Sequence, residues 1–206
     1  MPWWSGRRAR ALLVAPVTAV LLLAGCTDGE PTAAESTTAP PVETPTPTPT
    51  PTETPAVDVT VKPERPAALD GPPSVEGAVA VAEYFLLLFP YVNATGDLRD
   101  WSDLSNAECV YCTNVAARVT EKFNLGLHDI GGESSITEAI GNEVDPGRWY
   151  MAKIRLLQAE SATVDATGSV VESYPGAVAY RVDLAVVWDG GIWSIREATP
   201  TEEVSP

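Results

Sequence analysis

The distribution of apolar and polar positions divides the chain into three unlike stretches. From Ala11 to Ala24 it is almost wholly apolar, broken by Pro16 and Thr18. From about residue 27 to 66 no apolar period can be found, and the centre of that stretch, "TPTPTPTPTETP" at 44–55, alternates Thr with Pro. Beyond it the pattern becomes that of a packed domain. Val75, Val79, Ala82, Phe85, Phe89 and Val92 recur at the spacing of one helical face. Ser74 stands where an N-cap belongs, with Gly77 in place of the Glu that would complete a capping box. The central "YFLLLF" is apolar all round, which predicts a helix buried on most sides, and Pro90 is expected to kink it. A short acidic helix or turn carrying Trp101 follows, then an amphipathic helix from about Glu108 to Leu125.

After Gly131-Gly132 the period changes. Residues 147–173 read as two strands with a turn near Gln158–Ser161, and Tyr174-Pro175-Gly176 reads as a turn. Val178, Tyr180, Val182, Leu184, Val186 and Trp188 then alternate with Ala179, Arg181, Asp183 and Ala185, a strand with one apolar face. "WDGGIW" is a tight hairpin signal, returning through Ile192–Glu197. Helices first and antiparallel strands afterwards predict an α+β domain over 67–200, its helices covering one side of a curved sheet, with 201–206 as a disordered tail.

The proline alternation has its own consequence. Proline fixes φ and removes a donor, so 44–55 joins neither helix nor sheet. In polyproline II geometry those residues span roughly 37 Å. Residues 26–66 therefore read as a disordered tether that holds the domain away from whatever anchors it, and Thr-Pro stalks of this kind are sites of O-glycosylation.

The anchor is written at the start. Arg7, Arg8 and Arg10 precede the apolar run, and small residues close it, which is the layout of a secretory signal over 1–25. The run is too short for a bilayer span of about 20 residues. Leu23-Ala24-Gly25-Cys26 resembles the lipobox of bacterial lipoproteins. That resemblance implies cleavage before Cys26, a diacylglyceryl thioether on its sulfur and a further acyl chain (palmitate, for example) on the new amine. Two or three chains make a durable membrane anchor where one alone is marginal. The expected location is the extracytoplasmic face of the cell membrane.

Charge narrows the partners. The chain carries 13 Lys+Arg against 28 Asp+Glu. Loss of the three arginines of the signal leaves ten basic residues against the same 28 acidic ones, a balance of −18. Such a chain is repelled by nucleic acid and by anionic headgroups, and no basic patch interleaved with aromatics offsets this. Nucleic-acid binding is excluded.

The order of elements, ending in "VVWDGGIWSIREA", is similar to the cone-shaped fold of nuclear transport factor 2 and the SnoaL-type proteins. More closely, the PERP opening, the aromatic stretch of the long helix and Glu108-Cys109 to Cys112 resemble a family of uncharacterised actinobacterial lipoproteins, over most of residues 62–198. That family has no assigned activity, so the resemblance implies a fold and a location and no chemistry. It also makes O-mannosylation of the Thr-Pro stalk an expectation. Cone folds often pair through their sheets, which adds a homodimer to the expected partners.

Three constellations remain. Cys109 and Cys112 have the spacing of a redox pair, a zinc half-site or a short disulfide. Zinc wants four ligands, and His128 is the only histidine. A thioredoxin-type pair follows a strand, whereas this one opens a helix. An exported protein favours the disulfide, with thiol exchange kept as an alternative. His128 lies in the Gly-rich "GLHDIGGE" loop, where Asp129 is placed to orient it as a general base, yet no nucleophile stands at a telling spacing. Tyr84, Tyr91, Trp101, Tyr150, Trp188 and Trp193 supply either the lining of a cone cavity or the core of the domain. The apolar face from Val178 to Trp188 offers no ionisable residue. The reading is a membrane-anchored binding or interaction module, without catalysis, cofactor or metal, that meets an envelope protein or cell-wall component. The alternatives are a small-molecule binder or isomerase/dehydratase-like enzyme using the cone cavity, and a thiol-exchange protein.

Overall fold

The computed structural model describes residues 57–203. The signal, Cys26 and the Thr-Pro run lie outside the described residues.

The first helix, α1 (Val75–Thr95), starts where Ser74 caps it, the serine Oγ accepting from the Gly77 amide at 2.9 Å. It ends where Gly96 takes φ 72°, a left-handed conformation that costs a glycine nothing. Pro90 lies inside it, and the helix runs through to Thr95. By length and composition α1 is apolar enough to cross a membrane, but here it is the central core element. Val81, Ala82, Phe85, Leu88 and Val92 have no measurable exposure, and each large side chain buried this way contributes about 1.5–3 kcal/mol. Helices α2 (Arg99–Leu104) and α3 (Val110–Asn124) follow, close to the expected positions.

The strands form two antiparallel sheets where a single curved one was expected. The larger contains β2 (Ser134–Asp145), β3 (Trp149–Gln158), β6 (Val178–Asp189) and β7 (Ile192–Glu202), in the order β2-β3-β6-β7. The smaller contains β1 (His128–Gly131), β4 (Ser161–Val164) and β5 (Val170–Tyr174), in the order β1-β4-β5. The fold class is the predicted one, with α+β elements in the order helices then antiparallel strands.

Several details differ. His128 begins a strand, not a loop, and pairs with Val164. Residues 147–173 hold three strands in place of two. β2 carries no apolar alternation because bulges between Ile136 and Glu138 and between Glu143 and Asp145 switch its faces. The last strand runs to Glu202, into the segment read as a tail.

The β6–β7 hairpin forms as expected. Trp188 pairs with Trp193 and Asp189 with Ile192, across Gly190 and Gly191 at φ 58° and 100°. Positive φ at both turn positions is what a two-residue hairpin of right-handed twist requires. The inner face of the large sheet (Tyr150, Ala152, Ile154, Val182, Leu184, Val186, Ile195) packs against α1 in one core. Gly141 permits the close approach at the edge: a Cβ there would lie 2.6 Å from the Val79 methyl.

Candidate functional site

Cys109 and Cys112 are joined as a disulfide, with an S–S distance of 1.93 Å and Cα atoms 5.2 Å apart. The local sequence explains the turn that brings them together. The Asn106 side chain accepts from the Glu108 amide at 3.0 Å, and its carbonyl accepts from the Cys109 amide at 2.9 Å. Cys109 is then the N-cap of α3, its sulfur accepting from the Cys112 amide at 3.2 Å. Trp101 of α2 donates its indole N–H to the Cys112 carbonyl at 3.1 Å and stacks on Phe85, ring centroids 4.0 Å apart. The Asn106 amide also donates to the Ile195 carbonyl at 3.0 Å, which ties the same turn to β7. Both cysteines are fully buried. A thiolate attacking from solvent has no path to either sulfur while this packing holds.

A second cluster lies at the C-terminal end of α1. Tyr84 donates its hydroxyl to Asp100 at 2.5 Å, and Tyr91 donates to Asp97 at 2.9 Å. Lys62, from the extended segment ahead of the domain, reaches Asp100 at 2.8 Å and Asp97 at 3.9 Å, with its ammonium 5.8 Å from the centre of the Tyr91 ring. Arg99 donates to both oxygens of Asp97, at 2.8 and 2.7 Å. Hydrogen bonds from Lys62 and then Tyr84 hold Asp100 below the ordinary aspartate range, and Arg99 first, with Tyr91, does the same for Asp97. Burial first and the neighbouring carboxylate second push both tyrosines up, so they remain donors. Every charge here has a partner, and the cluster works as a latch on the incoming chain. The folded unit thus reaches back to Lys62, into residues 26–66 assigned to the tether. Arg65 pairs with Asp70, and Trp193 donates to the Ala68 carbonyl at 2.9 Å, extending the same attachment.

The aromatics considered as a cavity lining are packed into the core. Tyr84, Tyr91, Trp101, Tyr150 and Trp193 are all buried, and Trp188 packs half-buried against them. Trp193 lies between Tyr150 and Trp188, at centroid distances of 5.5 and 4.9 Å. Sequence spacing cannot separate these two roles, because both put large aromatics on the same face. An open groove of about 580 Å³ lies instead along α3, lined by Thr113, Ala116, Ala117, Thr120, Glu121 and Leu125. None of the six aromatics lines it.

The His128–Asp129 pairing is overturned by what Asp129 does. Its two carboxylate oxygens are taken by Lys122 at 2.5 Å and by the Thr163 hydroxyl at 2.6 Å, and Lys122 also reaches Asn93 at 3.2 Å. These contacts fasten the small sheet to α3 and α1. Among the described residues no group of three or more His, Cys, Asp or Glu side chains is arranged to hold a metal ion. Asp183 and Arg181 lie on the outer face of the large sheet, as the alternation predicts.

An α+β domain with a short disulfide at a helix start and a latched N-terminal segment is the class that fold and site define. The chain belongs to a protein family of unknown function, DUF6318, whose pattern it matches over residues 45–199. No curated protein matches it. Among solved structures it is similar to the intermembrane space region of the chloroplast protein ARC6, at 12% identity and a TM-score of 0.50, over 65% of this chain and 100% of that one. It is also similar to an uncharacterised protein with a cystatin-like fold from Caulobacter vibrioides, at 13% identity and a TM-score of 0.42, over 63% and 91% of the two chains. A third is an Ntf2-like protein involved in plasmid conjugation, at 13% identity and a TM-score of 0.28, over 59% and 47%. The likeness to the chloroplast protein is one of fold.

Proposed function

We propose that this chain is an extracytoplasmic lipoprotein whose domain is a non-catalytic interaction module at the cell envelope. Cys26, acylated and made the mature N-terminus, holds it to the membrane, and the Thr-Pro tether sets its distance from the lipid. Its partner is an envelope protein or a cell-wall component. The observation that carries the reading is the use made of the aromatics: side chains that would line a small-molecule cavity fill the core, so recognition falls to the surface. The Leu23-Ala24-Gly25-Cys26 sequence and the Cys109–Cys112 pairing both suit an exported protein in an oxidising compartment.

Mass spectrometry of the full chain, extracted with detergent from envelopes of the cells that make it, tests this. The expected result is an N-terminal diacylglyceryl Cys26, one disulfide and no stoichiometric small-molecule adduct under native conditions. An unacylated N-terminus would remove the anchor from the reading. A bound small molecule that leaves on denaturation would replace the interaction module with a ligand carrier.

A further inference from the structure

Lys122 points its ammonium at two unlike groups. Its Nζ donates to Oδ2 of Asp129 at 2.5 Å and to the side-chain Oδ1 of Asn93 at 3.2 Å. The three residues come from three elements: Asn93 from the last turn of α1, Lys122 from the last turn of α3, and Asp129 from β1. Asn93 Nδ2 donates to the Phe89 carbonyl at 2.9 Å, one helical turn back, so the amide is held with its oxygen toward Lys122. Thr163, itself buried, donates to the other oxygen of Asp129 at 2.6 Å. The Lys122 and Asp129 side chains keep only 21% and 18% of their exposure. Lys62, by contrast, meets two carboxylates, Asp97 and Asp100.

A primary amine, a primary amide and a carboxylate in mutual contact supply every group that an amide exchange requires. The amine is the nucleophile, and the amide carbon, one bond beyond Oδ1, is the electrophile. The carboxylate touching the amine is placed to carry the protons that must leave it. Because packed elements hold the three groups together, the reaction needs only a short approach of Nζ toward Cγ and no bimolecular encounter. Asn93 is the better acyl partner of the two, since the negative charge of a carboxylate repels an attacking lone pair.

We propose that Lys122 and Asn93 join in an intramolecular isopeptide bond, with Asp129 as the proton carrier. Lys122 Nζ passes a proton to Asp129 and attacks the Asn93 Cγ, giving a tetrahedral centre. Asp129 returns that proton to Asn93 Nδ2, and the Cγ–Nδ2 bond breaks. The second proton given up by Nζ leaves with the departing nitrogen as ammonium. One C–N bond forms and one breaks, nothing is oxidised or reduced, and Asp129 ends as a carboxylate. The chain loses one ammonia, about 17 Da. The new bond staples α1 to α3 across a separation of 29 residues, against 3 for the Cys109–Cys112 disulfide. It therefore restrains the unfolded chain where the disulfide does little.

Tryptic digestion of the full chain after reduction, read by tandem mass spectrometry, tests this. Trypsin does not cut after an acylated lysine. The expected product is a branched pair, the peptide ending at Arg99 joined through Asn93 to one running uncut through Lys122, about 17 Da lighter than the two peptides together. Lys122→Arg and Asn93→Ala are each expected to abolish the branched pair. Asp129→Ala keeps both reacting groups and is expected to slow its formation by about a hundredfold or more, read from the linked fraction in freshly made and in aged protein. The digest of the unaltered chain decides the matter even where a variant does not fold. Cleavage after Lys122 with both peptides at full mass, a loss of about 18 Da that links Lys122 to Asp129, or unslowed linkage in Asp129→Ala would each overturn the inference. No step of the test depends on the anchor or on a partner, so this bond and the interaction module fail separately.

Discussion

Trp101 donates its indole N–H to the carbonyl of Cys112, 3.1 Å away, so the side chain that fills the space under α1 also holds the first turn of α3. Both groups are buried, and the bond crosses from α2 to the disulfide. Trp101→Phe keeps most of the packing against Phe85 but leaves that carbonyl without its indole donor, a loss expected to cost about 1–3 kcal/mol. Trp101→Ala removes the packing too and is expected to cost about 3–5 kcal/mol. Urea unfolding followed by tryptophan fluorescence separates the two variants. Equal stability of Trp101→Phe and the unaltered chain would show that the bond contributes nothing.

Burial of both cysteines governs how the disulfide responds to reductant. Closing so small a loop restricts the unfolded chain little, and the chain-entropy account gives about 2 kcal/mol. Cys109→Ser with Cys112→Ser should therefore lower stability by roughly that amount and leave the fold intact. Reduction of the unaltered chain by dithiothreitol has to wait for local opening, so it should be slower by at least about a hundredfold in buffer than in denaturing urea. Mass spectrometry reads the two-hydrogen gain directly. Rapid reduction in buffer would restore the thiol-exchange reading.

The parts of this fold that were legible in the sequence are those whose signal is local. Ser74 announces α1, the 3.6-residue spacing from Val75 to Val92 gives its face, and Gly190-Gly191 dictates the hairpin. The Cys109–Cys112 spacing limited that pair to a few chemistries, and the helix start favoured the disulfide. β2 was illegible because it is an exposed edge strand with two bulges, so its few apolar residues never settle into a period of two. The Lys62–Asp100 contact spans 38 residues of separation and leaves no local mark. The role of the aromatics was undecidable for a different reason: burial in a core and lining of a cavity place the same residues on the same face.

Among the described residues, Gly141 is the one strand glycine over which a helix closes. A Cβ built there falls 2.6 Å from the Val79 Cγ2 and 3.2 Å from the Val75 Cγ1. Gly141→Ala is therefore expected to push α1 off β2 or force Val79 from its rotamer, at a cost of about 1–3 kcal/mol. Adding Val79→Ala gives the new methyl room, so the double variant should be more stable than the sum of the single effects predicts. Thermal unfolding of the four proteins closes the cycle. Simple additivity would mean that the helix and strand are not in contact at this point in solution.

The latch at the end of α1 gives the chain an acid limb whose sign follows from its pKa directions. Asp97 and Asp100 titrate below the ordinary aspartate range in the folded chain, Asp97 chiefly through Arg99 and Asp100 chiefly through Lys62. In the unfolded chain they return to about 3.9. Groups depressed in this way contribute stability that is complete above about pH 5 and is lost as pH falls through and below the unfolded value. Asp100→Asn should cost about 1 kcal/mol at pH 7, the scale of a partly exposed charge-assisted hydrogen bond. The gap to the unaltered chain should narrow as pH falls below the ordinary aspartate range, where Asp100 itself takes up a proton. Lys62→Met removes the leading cause of the Asp100 shift and should reproduce the neutral-pH loss. It should also release residues 57–66 to faster hydrogen exchange, which a purely electrostatic effect on the core would not do. Urea midpoints measured from pH 2.5 to 7 decide the matter. A difference between Asp100→Asn and the unaltered chain that stays constant across that range would mean the Lys62–Asp100 pair does not hold the N-terminal segment.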